Sequence, residues 1–443
     1  MPSQAHVIGA GLAGLSAALS LTAAGCRVTL LEAAPTAGGR CRSYFDRALG
    51  LTIDNGNHLL LSGNRAAMAY LREIGSADAL AGPAEPVFPF IDIGRCERWT
   101  LRINPGRFPW WVFATRRRVP GTRLPDYLPL IALPRISDDR SVAQTVPRSL
   151  LTARLLEPLA VAALNTPPDQ GLARLLGQVV RETLLRGGNA SRPRFPRHSL
   201  AAAFVDPALA ILRARGADIR FGCRIAGLDI SANRVTALHV AGSKTINRSR
   251  RDQAPPPLTG GGRAQGSVPA YPTPDIREPV AESVILAVPP WVASDLLPEL
   301  VVPDEFQAIL NIHFRIHADP GPAGFWGVIG GTAEWIFVKP GHVSVTISAA
   351  NRMVDQSAEI IAQAVWPDVR LALGLDAPIP PWRVVKEKRA TFAATAAQER
   401  RRPGPRTSVE NLVLAGDWTA TGLPATIEGA IRSGRRAAEM VLR

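Results

Sequence analysis

The chain of 443 residues contains little cysteine and no long uninterrupted apolar run. Its four cysteines, Cys26, Cys41, Cys96 and Cys223, form no C-x-x-C pair and show no metal-ligand spacing, so we expect neither a disulfide framework nor a metal site. A stretch of about 18 uncharged apolar residues is missing, which argues against a transmembrane helix. The amino terminus has no basic segment before its apolar run. We therefore expect no signal peptide and a cytoplasmic location.

The charge is strongly of one sign. The formal net charge is +14, and nearly all cations are arginines, because the lysines are confined to Lys244, Lys339, Lys386 and Lys388. No basic patch lies on a recognisable nucleic-acid-binding module, so we expect no nucleic acid partner. An anionic membrane surface suits this charge better. We expect the protein to lie peripherally on the inner face of the cytoplasmic membrane.

The opening stretch carries the fingerprint of a dinucleotide-binding βαβ unit. An apolar strand over 6–8 leads through G-x-G-x-x-G into a helix over 15–24, and a second strand over 27–31 ends on an acid. The glycines allow a tight turn, a close approach to pyrophosphate and close helix packing, while the helix N-terminus faces the phosphates. The residues predicted to contact the dinucleotide are Gly9, Ala10, Gly11, Leu12, Ala13, Gly14 and Glu32, the last through the ribose.

Two further segments point to the same ligand. Gly38 and Gly39 allow a backbone turn close to it, and Arg40 can pair with phosphate. Near the other end, a strand over 411–414 leads to Asp417, at the edge where open α/β sheets bind ligands. The alternative is an ordinary terminal strand and helix.

These motifs resemble those of the flavin amine oxidase and carotenoid desaturase superfamily. Two motifs support the resemblance. They are E-x(5)-G-G-R, ending at Arg40, and G-D followed by P-x-T-x-E-G-A-x-x-S-G near the carboxyl end. The resemblance implies FAD as cofactor and an α/β class fold, with a Rossmann-like FAD-binding domain and an interleaved substrate domain of mixed sheet and helices. It further implies FAD contacts by Gly56 and Asn57 past the isoalloxazine, by the backbone of Ile225 at the adenine, and by Asp417, Ile427 and Glu428, where the last helix begins.

The resemblance also suggests how the chain is divided. We assign to a discontinuous FAD-binding domain the residues 1–75, 201–290 and 386–443, and to a substrate- and membrane-facing domain the residues 76–200 and 291–385. Residues 243–280 are polar and rich in proline, glycine and arginine, and we predict a disordered or extended insert there. Aromatic residues over 107–113, followed by Arg116, Arg117 and Arg118, suit a membrane interface, or else a cap whose aromatic side chains fill the core.

Within the superfamily, several stretches resemble the squalene-associated desaturase branch, the hydroxysqualene dehydroxylases of hopanoid biosynthesis. They are residues 54–61, 157–167, 335–337 and 347–350. One departure is Asn57, where that branch usually carries glutamine. The resemblance implies that reduced FAD delivers hydride to hydroxysqualene, a long-chain isoprenoid, so that water leaves and squalene forms. Upstream squalene-pathway enzymes are then possible partners.

Other functions remain open at this point. A carotenoid desaturase would use the same hydride step in the oxidative direction, and an amine oxidase or a non-catalytic flavin-binding protein also fits two FAD motifs. For the dehydroxylase, the leaving hydroxyl needs a general acid near the flavin. Our candidates are His58 and Asp54. The alternatives are a solvated or structurally bonded His58 and an Asp54 that bonds backbone N–H groups.

Overall fold

The chain folds into short strands alternating with helices, and the computed structural model describes residues 3–241, 276–280 and 282–443. The strands are β1 (Gln4–Ile8), β2 (Arg27–Glu32), β3 (Ser43–Asp46), β4 (Leu51–Asp54), β5 (Leu60–Leu61), β6 (Leu80–Ala81), β7 (Val87–Asp92), β8 (Glu97–Arg102), β9 (Pro193–Pro196), β10 (Asp218–Phe221), β11 (Ile225–Ser231), β12 (Arg234–Val240), β13 (Ile276–Pro279), β14 (Ser283–Leu286), β15 (Phe306–Phe314), β16 (Phe325–Ile329), β17 (Trp335–Lys339), β18 (His342–Ile347), β19 (Trp382–Phe392) and β20 (Leu412–Leu414). The helices are α1 (Leu12–Ala23), α2 (Arg65–Glu73), α3 (Leu128–Ala132), α4 (Val142–Thr145), α5 (Glu157–Leu164), α6 (Ala173–Glu182), α7 (Asp206–Ala214), α8 (Pro290–Leu296), α9 (Ala358–Leu373), α10 (Ala396–Arg400) and α11 (Ile427–Val441).

A parallel five-stranded sheet confirms the predicted α/β class. Its order is β10-β2-β1-β14-β20, so segments far apart in sequence become neighbours. Ile8 is in register with Leu31 on one side and Leu286 on the other, and Leu286 with Leu414. The carboxyl ends of these strands therefore meet at one edge, where this class of sheet binds ligands.

Helices α1 and α11 pack together and join the two ends of the described chain. A Cβ on Gly434 would lie 2.1 Å from the carbonyl oxygen of Ala13, so the helices approach at a distance that only glycine allows. The hydroxyl of Ser16 donates a hydrogen bond to the carbonyl of Ile431 at 3.0 Å. This contact holds the start of α11 beside the glycine loop that precedes α1.

A second sheet of seven strands, in the order β19-β15-β18-β17-β16-β7-β8, forms the other half of the site. One face is aliphatic and packs against α9. Because side chains alternate along a strand, the other face carries a different set of residues. That face turns towards the loop after β4 and towards the helical segment 142–182.

Strands β7 and β8 form in a stretch rich in proline, a residue that breaks most strands. Pro89 lies inside β7 opposite Thr100 of β8, but the pairing of β7 with β16 begins only at Phe90. The missing N–H of the proline thus falls outside that second ladder. After the loop that follows β4, Leu60–Leu61 form the short strand β5, and α2 begins at Arg65.

The end of the predicted insert is ordered. Residues Ile276–Pro279 form β13, which pairs antiparallel with β12, so of the two predicted states these residues adopt the extended one. Most of the remaining insert lies outside the described residues. The bounds of the two domains stay a prediction.

Candidate functional site

The glycine loop after β1 leaves no room for side chains at two positions. Gly9 has a φ of +102°, and a Cβ there would lie 2.4 Å from the carbonyl oxygen of Ala287. A Cβ on Gly14 would lie 1.8 Å from the carbonyl oxygen of Gly9. The loop and the first turn of α1 therefore pack at a separation that only glycine permits, as the fingerprint predicts.

The N-terminus of α1 has backbone N–H groups that can bind an anion. Gly11 occupies the capping position without a side-chain hydrogen bond, and the first turn contains no acidic residue. The next amides, of Leu12 and Ala13, belong to the first helical turn and have no acceptor within the helix. Because they stand at the positive end of the helix dipole, this turn fits a phosphate group.

Glu32 lies at the end of β2 beside the glycine loop. Its Oε2 accepts a hydrogen bond from the N–H of Ala10 at 2.7 Å, and its Oε1 accepts one from the N–H of Ala34 at 2.8 Å. Both bonds fix the carboxylate, which still has lone pairs to offer a ribose hydroxyl. The ribose contact stays a prediction, and this geometry is compatible with it.

The turn formed by Gly38 and Gly39 lies against the glycine loop. The N–H of Gly38 donates to the carbonyl of Ala10 at 2.8 Å, and the two glycines have φ values of +106° and +55°. Both values lie in the left-handed region that favours glycine. The second glycine motif is thus built onto the first.

Arg40 bonds to a carboxylate and a backbone carbonyl, and its pairing with phosphate stays a prediction. Its guanidinium donates to Oδ1 of Asp417 at 2.6 Å and to the carbonyl of Ala390 at 2.6 Å. In the described residues, the side chain predicted to pair with phosphate therefore pairs with the carboxylate predicted to hold the ribityl or pyrophosphate region. The two motifs from opposite ends of the chain meet in this ion pair.

The start of α11 offers backbone donors at the same edge. Thr426 caps the helix by accepting from the N–H of Gly429 at 3.0 Å. The N–H groups of Ile427 and Glu428, in the first turn, have no acceptor within the helix. They can stabilise negative charge on a ligand, as predicted for reduced flavin.

The side chain of Glu428 has another task. Its two oxygens accept from the N–H groups of Ala66 and Ala67 at 3.0 and 2.8 Å, and Oε1 also accepts from Nε of Arg432 at 2.8 Å. The carboxylate thus caps α2 across the molecule. The backbone N–H of Glu428 is left for the contact with FAD, which stays a prediction. Ile225, predicted to touch the adenine, is buried and begins β11.

Asp54 belongs to a buried ion pair. Its Oδ2 accepts from Nζ of Lys339 at 2.6 Å, and its Oδ1 accepts from the hydroxyl of Ser43 at 2.6 Å and the N–H of Leu200 at 2.8 Å. Burial alone would raise the pKa of Asp54, but the ammonium of Lys339 and the hydrogen bonds outweigh it and lower the pKa. The geometry fits the alternative role in backbone bonding and disfavours a proton donor.

His58 is half-buried and has no hydrogen-bond partner among the described residues. Burial lowers the pKa of its imidazole to about 4, because the opposing effect of Asp54 is too weak and the cations Arg40 and Lys339 add to the lowering. The ring is therefore neutral at pH 7. A neutral imidazole is a weak general acid, so His58 is poorly suited to the role predicted for it.

Two amide oxygens on the loop after β4 test whether a flavin ring fits here. Oδ1 of Asn55 and Oδ1 of Asn57 are buried and have no hydrogen-bond partner among the residues that the structure describes. An unpaired buried acceptor costs about 1–3 kcal/mol. Between them, a Cβ on Gly56 would lie 3.3 Å from Nδ2 of Asn311, so the loop is held close to the sheet. An isoalloxazine ring, which carries N–H donors, fits these residues.

Next to this loop the second sheet has an aromatic face. Phe195 packs edge-on against Phe325 and Phe337, with ring centroids 6.1 and 5.7 Å apart. Trp335 lies 6.2 Å from Phe325 and 5.9 Å from Phe90. These rings share one apolar cluster with the leucines of the helical segment 142–182. Phe195, Phe325 and Phe337 are buried in this cluster, so the face gives the neighbouring loop apolar surroundings.

Sequence analysis missed several polar residues on this face. Lys339 ends an apolar strand. Because lysine is rare in this chain, a lysine at that position was the signal that could have drawn attention to it. Glu334 directly precedes the same strand. Asn311, Ser344 and Thr346 alternate with apolar residues in β15 and β18, a pattern that places them together on one face.

Comparison with known proteins agrees with this site. The family described as flavin containing amine oxidoreductase matches residues 12–316 and 335–442. Hydroxysqualene dehydroxylases from Sinorhizobium fredii and Rhodopseudomonas palustris are each 46% identical over 443 residues, which is 100% of this chain and 99% of theirs. A putrescine oxidase structure shares the fold, with a TM-score of 0.66 and 14% identity over 100% of both chains.

The chain therefore belongs to the flavin-containing amine oxidoreductases and, within them, to the hydroxysqualene dehydroxylase family. Its cofactor is FAD.

The buried ion pair gives the first prediction. Lys339→Met leaves the carboxylate of Asp54 buried without its cation, and we expect a loss of about 3 kcal/mol in the free energy of unfolding. Because the folded-state pKa of Asp54 is lowered, the pair contributes stability above about pH 4, the ordinary Asp pKa, and loses it as the pH falls through the folded value. Urea denaturation at pH 7 and pH 3 measures both effects.

The control is Lys388→Met, which removes an exposed pair with Asp355 at 2.7 Å and should change stability little. Equal destabilisation by the two variants at pH 7 would contradict a special role of the buried pair.

Proposed function

We propose that this protein removes the hydroxyl group of hydroxysqualene reductively and forms squalene. The observation that carries the proposal is the similarity to hydroxysqualene dehydroxylases over the full length of this chain. The aromatic face beside the flavin loop supports it, because a hydrocarbon chain of 30 carbons needs apolar surroundings. Reduced FAD supplies the hydride in such a reaction. The protein contributes position, exclusion of water and a proton.

The proton has to reach the leaving oxygen. Breaking the C–O bond releases hydroxide unless an acid protonates it, and the resulting carbon cation then accepts the hydride. Substrate is reduced, flavin is oxidised, and one water leaves. Asp54 and His58 are poorly suited to give the proton, for the reasons shown by their contacts and charges.

We infer that Glu334 is the proton donor. Its Oε2 accepts from the N–H of Ser348 at 2.7 Å, and the residue after it is Trp335, whose ring lies on the aromatic face. Trp335 is in register with Thr346, which bonds to Asn57 on the flavin loop. The carboxylate of Glu334 thus bonds to β18 two residues beyond Thr346, the residue that contacts the flavin loop. Burial raises the pKa of Glu334 to about 7, so that much of it holds a proton at neutral pH.

The reaction itself is tested anaerobically. Purified protein reduced with dithionite should be reoxidised when hydroxysqualene is added, because hydride leaves the flavin as squalene forms. The visible spectrum follows the flavin, and mass spectrometry identifies squalene. A flavin that stays reduced in the presence of hydroxysqualene would overturn the substrate assignment and leave the FAD assignment intact.

The proton donor is tested by Glu334→Gln, which keeps the size of the side chain and removes the acid. We expect the single-turnover rate of squalene formation to fall by about a hundredfold or more, in keeping with general acid catalysis. In the unchanged protein the rate should fall as the pH rises above about 7, because Glu334 loses its proton there.

The control is Glu359→Gln, which alters an exposed glutamate on α9 and should leave the rate unchanged. An unaltered rate and pH profile in Glu334→Gln would rule out this residue as the donor.

We further propose that the substrate-facing side docks on an anionic membrane. Exposed large apolar side chains are concentrated in the segment 108–131, namely Phe108, Trp110, Phe113, Leu124, Leu128 and Ile131. Of the aromatic residues in 107–113, only Trp111 is buried, so the alternative of a core-filling cap accounts for one ring. Arg117 stacks over the ring of Trp110 at 4.6 Å, beside Arg116 and Arg118. Aromatic rings next to arginines are typical of a membrane interface.

The same segment borders a cavity of about 330 Å³ that is open to the outside. Its lining includes Leu128, Pro129 and Leu133. Among the described residues, no helix has the length and apolar character needed to cross a bilayer. Attachment by this surface is the form of membrane association that the segment favours.

Membrane docking is tested with liposomes that contain anionic lipid. Changing Arg116, Arg117 and Arg118 together to glutamine should weaken binding by about a hundredfold at low salt, because each arginine near such a surface contributes about 1 kcal/mol. Co-sedimentation measures the bound fraction. The control changes three other exposed arginines, Arg27, Arg72 and Arg213, to glutamine. Equal binding by both triple variants would refute the proposed surface.

A further inference from the structure

The side-chain amide of Asn57 is held in one orientation by two hydroxyl groups. One of its terminal atoms lies 2.7 Å from Oγ of Ser344 and 3.1 Å from Oγ1 of Thr346, and the other is buried without a partner among the described residues. Nitrogen and oxygen of an amide have nearly the same shape, so the neighbouring hydrogen bonds must decide which atom is which.

The first chain of bonds runs through Asn311. Its Oδ1 accepts from the backbone N–H of Asn57 at 3.2 Å, and its Nδ2 donates to the backbone carbonyl of Asn55 at 3.1 Å, so its own orientation is fixed by the backbone. The hydroxyl of Thr346 donates to the same Oδ1 at 2.8 Å. With its proton used there, Thr346 can only accept from Asn57. The atom of Asn57 that faces it is therefore the nitrogen.

The second chain runs through His313 and is independent of the first. Nε2 of His313 lies 3.1 Å from the backbone carbonyl of Asp54 and must carry a proton to bond with it. Burial lowers the pKa of His313 to about 3, so the ring is neutral and Nδ1 is an acceptor. The hydroxyl of Ser344 donates to Nδ1 at 3.0 Å and, like that of Thr346, can only accept from Asn57.

Both series of hydrogen bonds thus place the amide nitrogen of Asn57 next to the two hydroxyls. Oδ1 is therefore the buried atom that has no partner among the described residues. Both N–H bonds of the amide are used, so it cannot turn over without losing them. The loop that carries Asn57 runs from the end of β4, and the resemblance to the family implies that the flavin ring lies there. The unpaired oxygen is an acceptor that no described residue satisfies.

We propose that Oδ1 of Asn57 accepts a hydrogen bond from an N–H group of the bound isoalloxazine, and that Ser344 and Thr346 are positioning residues that aim it. The inference rests on FAD as cofactor and does not depend on the substrate. The role of Asn57 can therefore be refuted while the proposed reaction stands, and the proposed reaction can be refuted while the role of Asn57 stands. The hydroxyls also donate to Asn311 and His313, so the test must separate their effect on Asn57 from their support of the sheet.

The test measures the dissociation constant of FAD, oxidised and reduced, with protein stripped of cofactor. Asn57→Leu should weaken the binding of FAD in at least one redox state by about fivefold, which corresponds to the net contribution of one hydrogen bond. The pair Ser344→Ala with Thr346→Val should have a similar effect. Combining all three changes should weaken FAD binding no more than Asn57→Leu does, because without Asn57 there is no amide for the hydroxyls to orient.

Two controls separate positioning from damage to the fold. Thr346→Ser keeps the hydroxyl and should bind FAD like the unchanged protein. Ser191→Ala removes a buried hydroxyl that donates only to the carbonyl of Gly187, and it should also leave binding unchanged. Thermal melting confirms that each variant is folded.

The proposal is overturned if folded Asn57→Leu binds FAD as tightly as the unchanged protein in both redox states. It is also overturned if the hydroxyl changes weaken binding further in the absence of Asn57. In that case Ser344 and Thr346 support the sheet and do not aim an acceptor.

Discussion

The buried ion pair between Asp54 and Lys339 holds the two halves of the site together. Asp54 ends β4 in the nucleotide-binding part, and Lys339 ends β17 in the seven-stranded sheet. Both side chains are 2% exposed, so their attraction is little screened by water, and the loss of either partner would strand a buried charge. The flavin loop follows Asp54 directly, so its position relative to the sheet depends on this pair.

The same pair shapes the electrostatics of the loop. Lys339 neutralises Asp54, and the surroundings of His58 and His313 then contain too little negative charge to offset burial. Both imidazoles stay neutral at pH 7. A neutral His313 can accept a hydrogen bond from Ser344, which a charged ring could not do. The polar network around Asn57 thus depends on a fixed protonation state that the ion pair helps to maintain.

The sequence allowed the parts with a local signal to be predicted. The glycine fingerprint, the strand pattern and the terminal helix each depend on residues close together in the chain, and the parallel sheet followed from them. The pairing of Arg40 with Asp417 joins residues at opposite ends of the chain, and no local pattern indicates that they contact each other. The capping of α2 by Glu428 is equally distant in sequence. Strand β7 has no local signal either, because Pro89 would break most strands, and only the register with β16 shows why the proline is tolerated.

Side chains alternate between the two faces along β17 and β18, and the residues that share one face include both polar and aromatic side chains. Ser344 and Thr346 point to the flavin loop, while their register partners Phe337 and Trp335 contribute the aromatic surface. A reductive dehydroxylation needs both, because the flavin requires fixed polar contacts and the hydrocarbon requires dry, apolar ones. The proposed donor, Glu334, bonds to the same strand at Ser348, and burial raises its pKa to about 7. Asp54 has the opposite surroundings, because Lys339 and its hydrogen bonds lower its pKa, so the two carboxyl groups suit different roles.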